Sequence, residues 1–96
     1  MTRFLVDHRH DAEQCPASNE GMAKGLSDHM EPETAARHDI TLLAECVVPG
    51  EHHLIAIVEA EDERKVASFF QPFDQVGTVS ITQVKTCRGV AEDLTD

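Results

Sequence analysis

The fold is decided by residues 40–60, which read ITLLAECVVPGEHHLIAIVEA. Two aliphatic runs, 40–48 and 52–60, flank Pro49-Gly50-Glu51, a composition typical of a tight turn between antiparallel strands. The segment therefore predicts a β-hairpin.

Both faces of this hairpin are apolar. A sheet with one face exposed to solvent instead alternates apolar and polar residues along each strand. One face carries Ile40, Leu42, Ala44, Cys46, Leu54, Ala56 and Val58, and the other carries Leu43, Val47, Ile55 and Ile57. Helices cover one face of a small sheet, so the second face needs another partner. We expect a homodimer through the open sheet face.

The residues before the hairpin predict a strand followed by helices. Arg3–His10 alternates as a strand does, and Ser18 is suited to cap the helix that follows. The inward stripe of that helix is Met22, Leu26, His29 and Met30. Pro32–Arg37 predicts a short second helix, and Asp39 ends the helical region.

The residues after the hairpin predict one helix and one strand. Asp62 can cap a helix whose apolar positions recur at i, i+3, i+4 and i+7. These positions are Val66, Phe69, Phe70 and Phe73. Gly77 leads into a last strand, 78–86, and the acidic residues after Gly89 are expected to form a loosely held tail.

The element order is therefore β-α-β-β-α-β, the ferredoxin-like arrangement of the α+β class. It has a four-stranded antiparallel sheet in the order 4-1-3-2 with its helices on one face. The 96 residues predict a single domain, 1–96, with a core at about 2–88 and the acidic tail at 89–96. A chain this short buries only about 60 to 65 per cent of its unfolded surface, which also favours dimerisation.

Charge and composition restrict the classes of partner. Eight Lys and Arg against eighteen Asp and Glu give a formal charge of −10, which repels nucleic acids and anionic membranes. We find neither a secretory signal nor an apolar run of about 20 residues, so we expect a soluble cytoplasmic protein. Three cysteines without a close pair indicate reduced thiols.

The stretch DHRHDAEQC, residues 7–15, combines two imidazoles and a thiol at the end of the first strand. His8 and His10 project to the same face of that strand, and the following loop can bring Cys15 back toward them. Mixed nitrogen and sulfur donors suit Zn, Ni or Cu. The stretch therefore predicts a transition-metal site, with a role in sensing, sequestration or delivery of the ion.

The expected topology adds candidate ligands, because the end of strand one lies near the start of strand three. His52 and His53 would approach there, although they point to opposite faces and at most one can join a given site. Cys46 lies toward the same end of strand two.

A purely structural interpretation stays open for the same residues. In it, His8 and His10 are half-buried strand residues bonded to Asp7, Asp11 or the backbone, and Cys15 is a small loop residue. Cys46 would then be a buried apolar thiol.

Other histidines and cysteines fit different roles. His29 is expected to pack with one nitrogen hydrogen-bonded, and His38 is favoured at a helix end by the helix dipole. Cys87 lies between Lys85 and Arg88, basic neighbours of the kind that make a thiol reactive.

The element order, together with residues 57–63 entering a helix that ends in Phe73, resembles the dimeric α+β barrel superfamily over roughly residues 2–88. Within it the chain is most similar to small bacterial domains of unassigned or nickel-binding type. The resemblance implies two sheets paired around a cavity. It also implies an alternative function, because the superfamily includes cofactor-free oxygenases and isomerases.

In such an enzyme His8 or His10, paired with Asp7 or Glu59, would act as acid or base. On a regular strand, however, Asp7 points away from His8 and could orient that ring only if the strand contained a bulge. Haem and flavin are disfavoured, since the chain has four Phe and no Trp or Tyr for stacking.

Overall fold

The computed structural model describes residues 1–16 and 19–94 of the chain. The strands are β1 (Thr2–Arg9), β2 (Thr41–Val48), β3 (His53–Ala60) and β4 (Thr78–Val84). The helices are α1 (Glu20–His29), α2 (Pro32–Arg37), α3 (Glu63–Phe69), α4 (Gln71–Asp74) and α5 (Cys87–Leu94), and a 3-10 turn covers Ala12–Gln14.

The four strands form one antiparallel sheet in the order β2-β3-β1-β4. This order is the one predicted, and the ferredoxin-like α+β class is confirmed. The register of β1 on β3 pairs His8 with Leu54 and Arg9 with His53. The C-terminal end of β1 therefore lies beside the β2–β3 turn, as the site hypothesis requires.

The core lies between the sheet and the helices. From the sheet it takes Phe4, Val6, Ala56, Val58 and Ala60; from the helices and loops it takes Met30, Ala35, Ile40, Val66, Phe69, Phe70 and Phe73. The predicted stripe of three phenylalanines is fully buried. The helix that carries it is nevertheless divided, because Pro72 lacks the N–H that a continuous helix needs, and α3 gives way to α4 at Phe70.

Side-chain caps define where the helices begin. Asp62 caps α3 as predicted, and its carboxylate accepts a hydrogen bond from the Lys65 amide at 3.0 Å. The first helix is capped instead by Asn19, whose side chain accepts from the Met22 amide at 3.0 Å. Ser18, the expected cap, lies outside the described residues.

A β-bulge in β2 changes which side chains face the helices. Leu42 pairs with Val58 and Ala44 pairs with Ile57, so two steps along β2 match one step along β3. Beyond this bulge the alternation is inverted. Val47, which the sequence placed on the open face, instead pairs with the inward-facing Leu54.

The residues that follow Gly89 as far as Leu94, expected to be part of a loose tail, belong to helix α5. The hydroxyl of Thr86 accepts a hydrogen bond from the Gly89 amide at 2.9 Å and so caps this helix. The acidic residues along it pair with basic ones: Asp93 with Lys85, and Glu92 with Arg88. These local pairs explain how an acidic segment becomes helical.

Gly77, just before β4, lies in close contact with the C-terminal end of β1. Its φ is +149°, and a Cβ at this position would lie 2.3 Å from the Arg9 carbonyl oxygen and 2.8 Å from Nε2 of His8. Neither the conformation nor the space admits a larger residue. Gly77 therefore lets the α4–β4 connection lie against the histidine end of β1.

We expect Gly77→Ala to lower the free energy of unfolding by at least about 2 kcal/mol, because the methyl group collides with backbone. Gly25→Ala is the matched control: nothing lies within 4 Å of its added Cβ, and it sits within α1. It should raise stability by up to about 1 kcal/mol. Urea denaturation measures both, and equal effects would contradict the close approach.

Candidate metal centre

A cleft of about 860 Å³ opens between α1 and the end of the sheet that holds the β2–β3 turn. Its apolar wall includes Leu26, Met30, Leu42, Val47, Leu54 and Phe73. His8, His10, Cys15, His52 and His53 also line it. The histidine end of β1 therefore faces a cavity on the helix side of the sheet.

Three donors from separate chain segments meet at one end of this cleft. One ligand atom each from His10, Cys15 and His52 lies within 4.8 Å of the others. Such a set of two imidazole nitrogens and one thiol sulfur is the kind that binds Zn, Ni or Cu. Of the two neighbouring histidines that the sequence offered, His52 joins the set.

Backbone geometry brings the three donors together. The His10 amide donates to the His52 carbonyl at 3.2 Å, which extends the β1–β3 ladder beyond the end of β1. His52 has a φ of +53°, a left-handed conformation unusual for a residue with a Cβ. Cys15 closes the 3-10 turn, and its amide donates to the Ala12 carbonyl at 3.3 Å.

His8 lies beside this set without being one of its three members. Its side chain is only 1% exposed, its ring centroid is 5.2 Å from that of His10, and it meets Phe73 edge-on at 5.3 Å. The sequence grouped His8, His10 and Cys15 as ligands. The structure brings His10 and Cys15 together and leaves His8 at the floor of the cleft.

The imidazoles at this end contain buried nitrogens without partners. Within the described part of the chain, Nε2 of His8 and both ring nitrogens of His10 have no hydrogen-bond partner. An unsatisfied buried polar atom costs about 1 to 3 kcal/mol, so native structures contain few of them. Three such atoms therefore lie together at one end of the cleft.

Burial also holds both rings in the neutral form. It lowers the pKa of His8 below 6.5, although the carbonyl groups of Phe73 and Val76 act in the opposite direction. It also lowers the pKa of His10, and the neighbouring rings of His8 and His52 add to that effect. A neutral imidazole is the form that binds a metal ion.

His53 also borders the cleft, but its ring points to the open face of the sheet. Its Nε2 lies 2.9 Å from an Asp7 carboxylate oxygen, which also pairs with Arg9 at 3.4 Å. Asp7 therefore orients His53 and makes no hydrogen bond to His8 or His10, and Glu59 pairs with Arg3 on the same open face. The acid–base pairings considered from the sequence, of His8 or His10 with Asp7 or Glu59, are thus wrong.

Cys46 and Cys87 lie away from the donor set. Cys46 pairs with Ile55 on the open face and is exposed, because the bulge inverts β2 before it; the predicted buried thiol is wrong. Cys87 is exposed at the first turn of α5. Its basic neighbours Lys85 and Arg88 are engaged by acids of that helix.

His29 and His38 have packing roles. The ring of His29 stacks on Phe69 with centroids 4.3 Å apart, and its Nε2 donates to the Phe69 carbonyl at 2.6 Å. His38 ends α2, as expected from the helix dipole.

Gly77 is the residue beside the site that sequence reasoning missed. The sequence showed a glycine just before a strand, but it did not indicate that this glycine would lie against the end of β1.

A family model described as Domain of unknown function (DUF3303) matches residues 2–94. The chain belongs to this DUF3303 family. No curated protein matches it. In the described part of the DUF3303 chain, every helix is too short or too polar to cross a bilayer.

Acidification should destabilise the metal-free DUF3303 domain. Since the folded-state pKa values of His8 and His10 lie below 6.5, the unfolded chain takes up protons first as the pH falls. The free energy of unfolding should therefore be highest above about pH 6.5 and fall between pH 7.5 and 5.5.

Urea denaturation of chelator-treated protein at these two pH values measures the change. In the double variant His8→Gln/His10→Gln the fall should be smaller, because amides do not titrate there. An equal fall in the variant and the wild type would show that other groups cause it.

Proposed function

We propose that the DUF3303 domain binds one transition-metal ion, Zn, Ni or Cu, through His10, Cys15 and His52. The observation that carries the proposal is the convergence of these three donors within 4.8 Å, at a place where both ring nitrogens of His10 lack another partner among the described residues. Packing alone accounts for neither feature. The ion would satisfy a nitrogen that is otherwise buried without a hydrogen bond.

The coordination would leave one position open. Ligand atoms around a tetrahedral ion with bonds of about 2.0 to 2.3 Å lie roughly 3.5 Å apart. The three donors lie within 4.8 Å of one another, so they need to close by no more than about 1.3 Å on binding. Three protein ligands leave the fourth position to water or a bound molecule. All three ligands line the cleft, so this position would face it.

An open three-ligand site fits sensing, sequestration or delivery of the ion. A closed four-ligand site is typical of structural zinc, whereas a site with an exchangeable position can take up and pass on an ion. The chain's formal charge of −10 attracts cations to its surface. We expect the protein to do this in the cytoplasm.

A homodimer through the open sheet face is part of this proposal. The face presents Leu5, Ile55 and Ile57 between charged residues, and all three are only partly buried in the single chain. A second sheet packed against it would give the dimeric α+β barrel arrangement. The proposed metal site lies on the helix side, so each protomer would hold its own ion.

A cavity enzyme is the second candidate, and one observation favours it. His8 and His10 line an apolar cleft with lowered pKa values, which is the setting of an imidazole that exchanges a proton with a substrate. This function needs no metal. It would be supported by protein that retains no Zn, Ni or Cu while the His8 ring titrates, by nuclear magnetic resonance, with a pKa below 6.5.

Protein purified without a His tag and dialysed against Zn, Ni or Cu should retain about one ion per chain by elemental analysis. His10→Ala and His52→Ala should each weaken binding by more than about tenfold, since loss of a direct ligand exceeds typical losses from supporting residues. Cys15→Ala should do the same. Calorimetric titration gives the affinities.

The chain offers two matched controls. His53→Ala alters the neighbour of His52 that faces the other side of the sheet, and Cys46→Ala alters a thiol on that same side. Both should bind the ion as the wild type does. Equal affinity in all five variants, or no binding of any of the three metals, would overturn the proposal.

A further inference from the structure

The cleft is larger than an ion requires. Its volume of about 860 Å³ lies in the upper part of the range for small-molecule sites, roughly 300 to 1,000 Å³. Leu26, Met30, Leu54 and Phe73 supply apolar walls from the helix side and the sheet. A cavity with apolar walls and convergent polar groups at one end is the usual form of a ligand site.

The bulge in β2 exposes apolar surface at the rim of this cleft. Val47 is 58% exposed and Leu43 is 44% exposed, and both line the cavity. Because the bulge turns Val47 to the inward side, the exposure is directed at the cleft rather than at the open face of the sheet. A ligand with an apolar body would cover it.

The charges around the cleft restrict the head group of such a ligand. Among the described residues that line it there are two carboxylates, Glu31 and Glu45, and no Lys or Arg. Without a metal, an anion would meet only repulsion. With a divalent ion held by one thiolate and two neutral imidazoles, the end of the cleft that holds His10, Cys15 and His52 would carry a net charge of about +1.

We infer that the metal-loaded cleft binds an apolar molecule with a single anionic donor, such as an aliphatic carboxylate, whose donor atom occupies the open position on the ion. This inference rests on the proposed metal site. His8, 1% exposed with Nε2 lacking a partner in the described chain, lies in the floor of the cleft next to His10 and offers a polar contact to the head group. A second anionic group would be repelled by Glu31 and Glu45.

The test is calorimetric titration of decanoate into zinc-loaded and zinc-free protein. Decanoate should bind the zinc-loaded form at least about tenfold more tightly, because only that form supplies a positive charge. Decanol, with the same chain and no anionic donor, should bind both forms equally. In cobalt-loaded protein, decanoate and not decanol should change the visible absorption band of the ion.

Two variants test the apolar wall. Val47→Gln places an amide in the cleft and should weaken decanoate binding several-fold, whereas Cys46→Gln places the same amide on the opposite face and should leave it unchanged. Val47 is exposed, so the variant is expected to fold, and neither residue is a proposed ligand. Zinc affinity should be the same in both variants.

These experiments distinguish a failure of the ligand inference from a failure of the metal proposal. If zinc binds but decanoate binds equally with and without it, or not at all, this inference is wrong and the metal proposal stands. Tighter binding of decylammonium than of decanoate to the zinc-loaded form would show that the two carboxylates, and not the ion, select the ligand. If zinc does not bind, the metal proposal fails first.

Discussion

The hydrogen bond from the His10 amide to the His52 carbonyl is the contact on which the site depends. It continues the β1–β3 register past the last residue of β1, and the register is itself fixed by the buried pairs Phe4 with Val58 and Val6 with Ala56. A slip of one residue would move His8 and His10 to the open face. The hydrophobic core of the sheet therefore determines where the imidazoles lie.

The same sheet separates neighbouring residues of similar chemistry. His52 faces the donor set while His53 bonds to Asp7 on the opposite face, and Val47 lines the cleft while Cys46 does not. The period of two along β2 separates Val47 from Cys46. The left-handed backbone of His52, just before β3, separates its ring from that of His53. Residues that a sequence motif would group together thus belong to two different surfaces, and chemistry must be assigned face by face.

The sequence predicted the element order, the hairpin and the buried phenylalanines because each rests on a local period or a turn composition, and the sheet order followed from the ferredoxin-like motif. It could not predict the bulge between Leu42 and Ala44, which no glycine or proline marks and which reverses the facing of Cys46. The helix at Cys87–Leu94 was missed for a related reason: its ion pairs become visible only once a helical spacing is assumed. The sequence predicted a site of histidine and cysteine donors but only some of the residues that form it. The choice between His52 and His53 depends on the left-handed backbone of His52, which the sequence does not reveal.

The buried imidazole nitrogens explain why the proposed metal ion suits this end of the domain better than a proton does. Protonating His10 would place a charge next to two other rings and among buried groups, and these neighbours lower its pKa. A metal ion differs from a proton because the thiolate of Cys15 would neutralise part of its charge, while the open position lets a further donor neutralise the rest. Burial disfavours the imidazolium and so favours the neutral imidazole, which is the form that binds metal. In the proposed site, the cost of leaving these nitrogens buried without partners would therefore add to the preference for a bound ion.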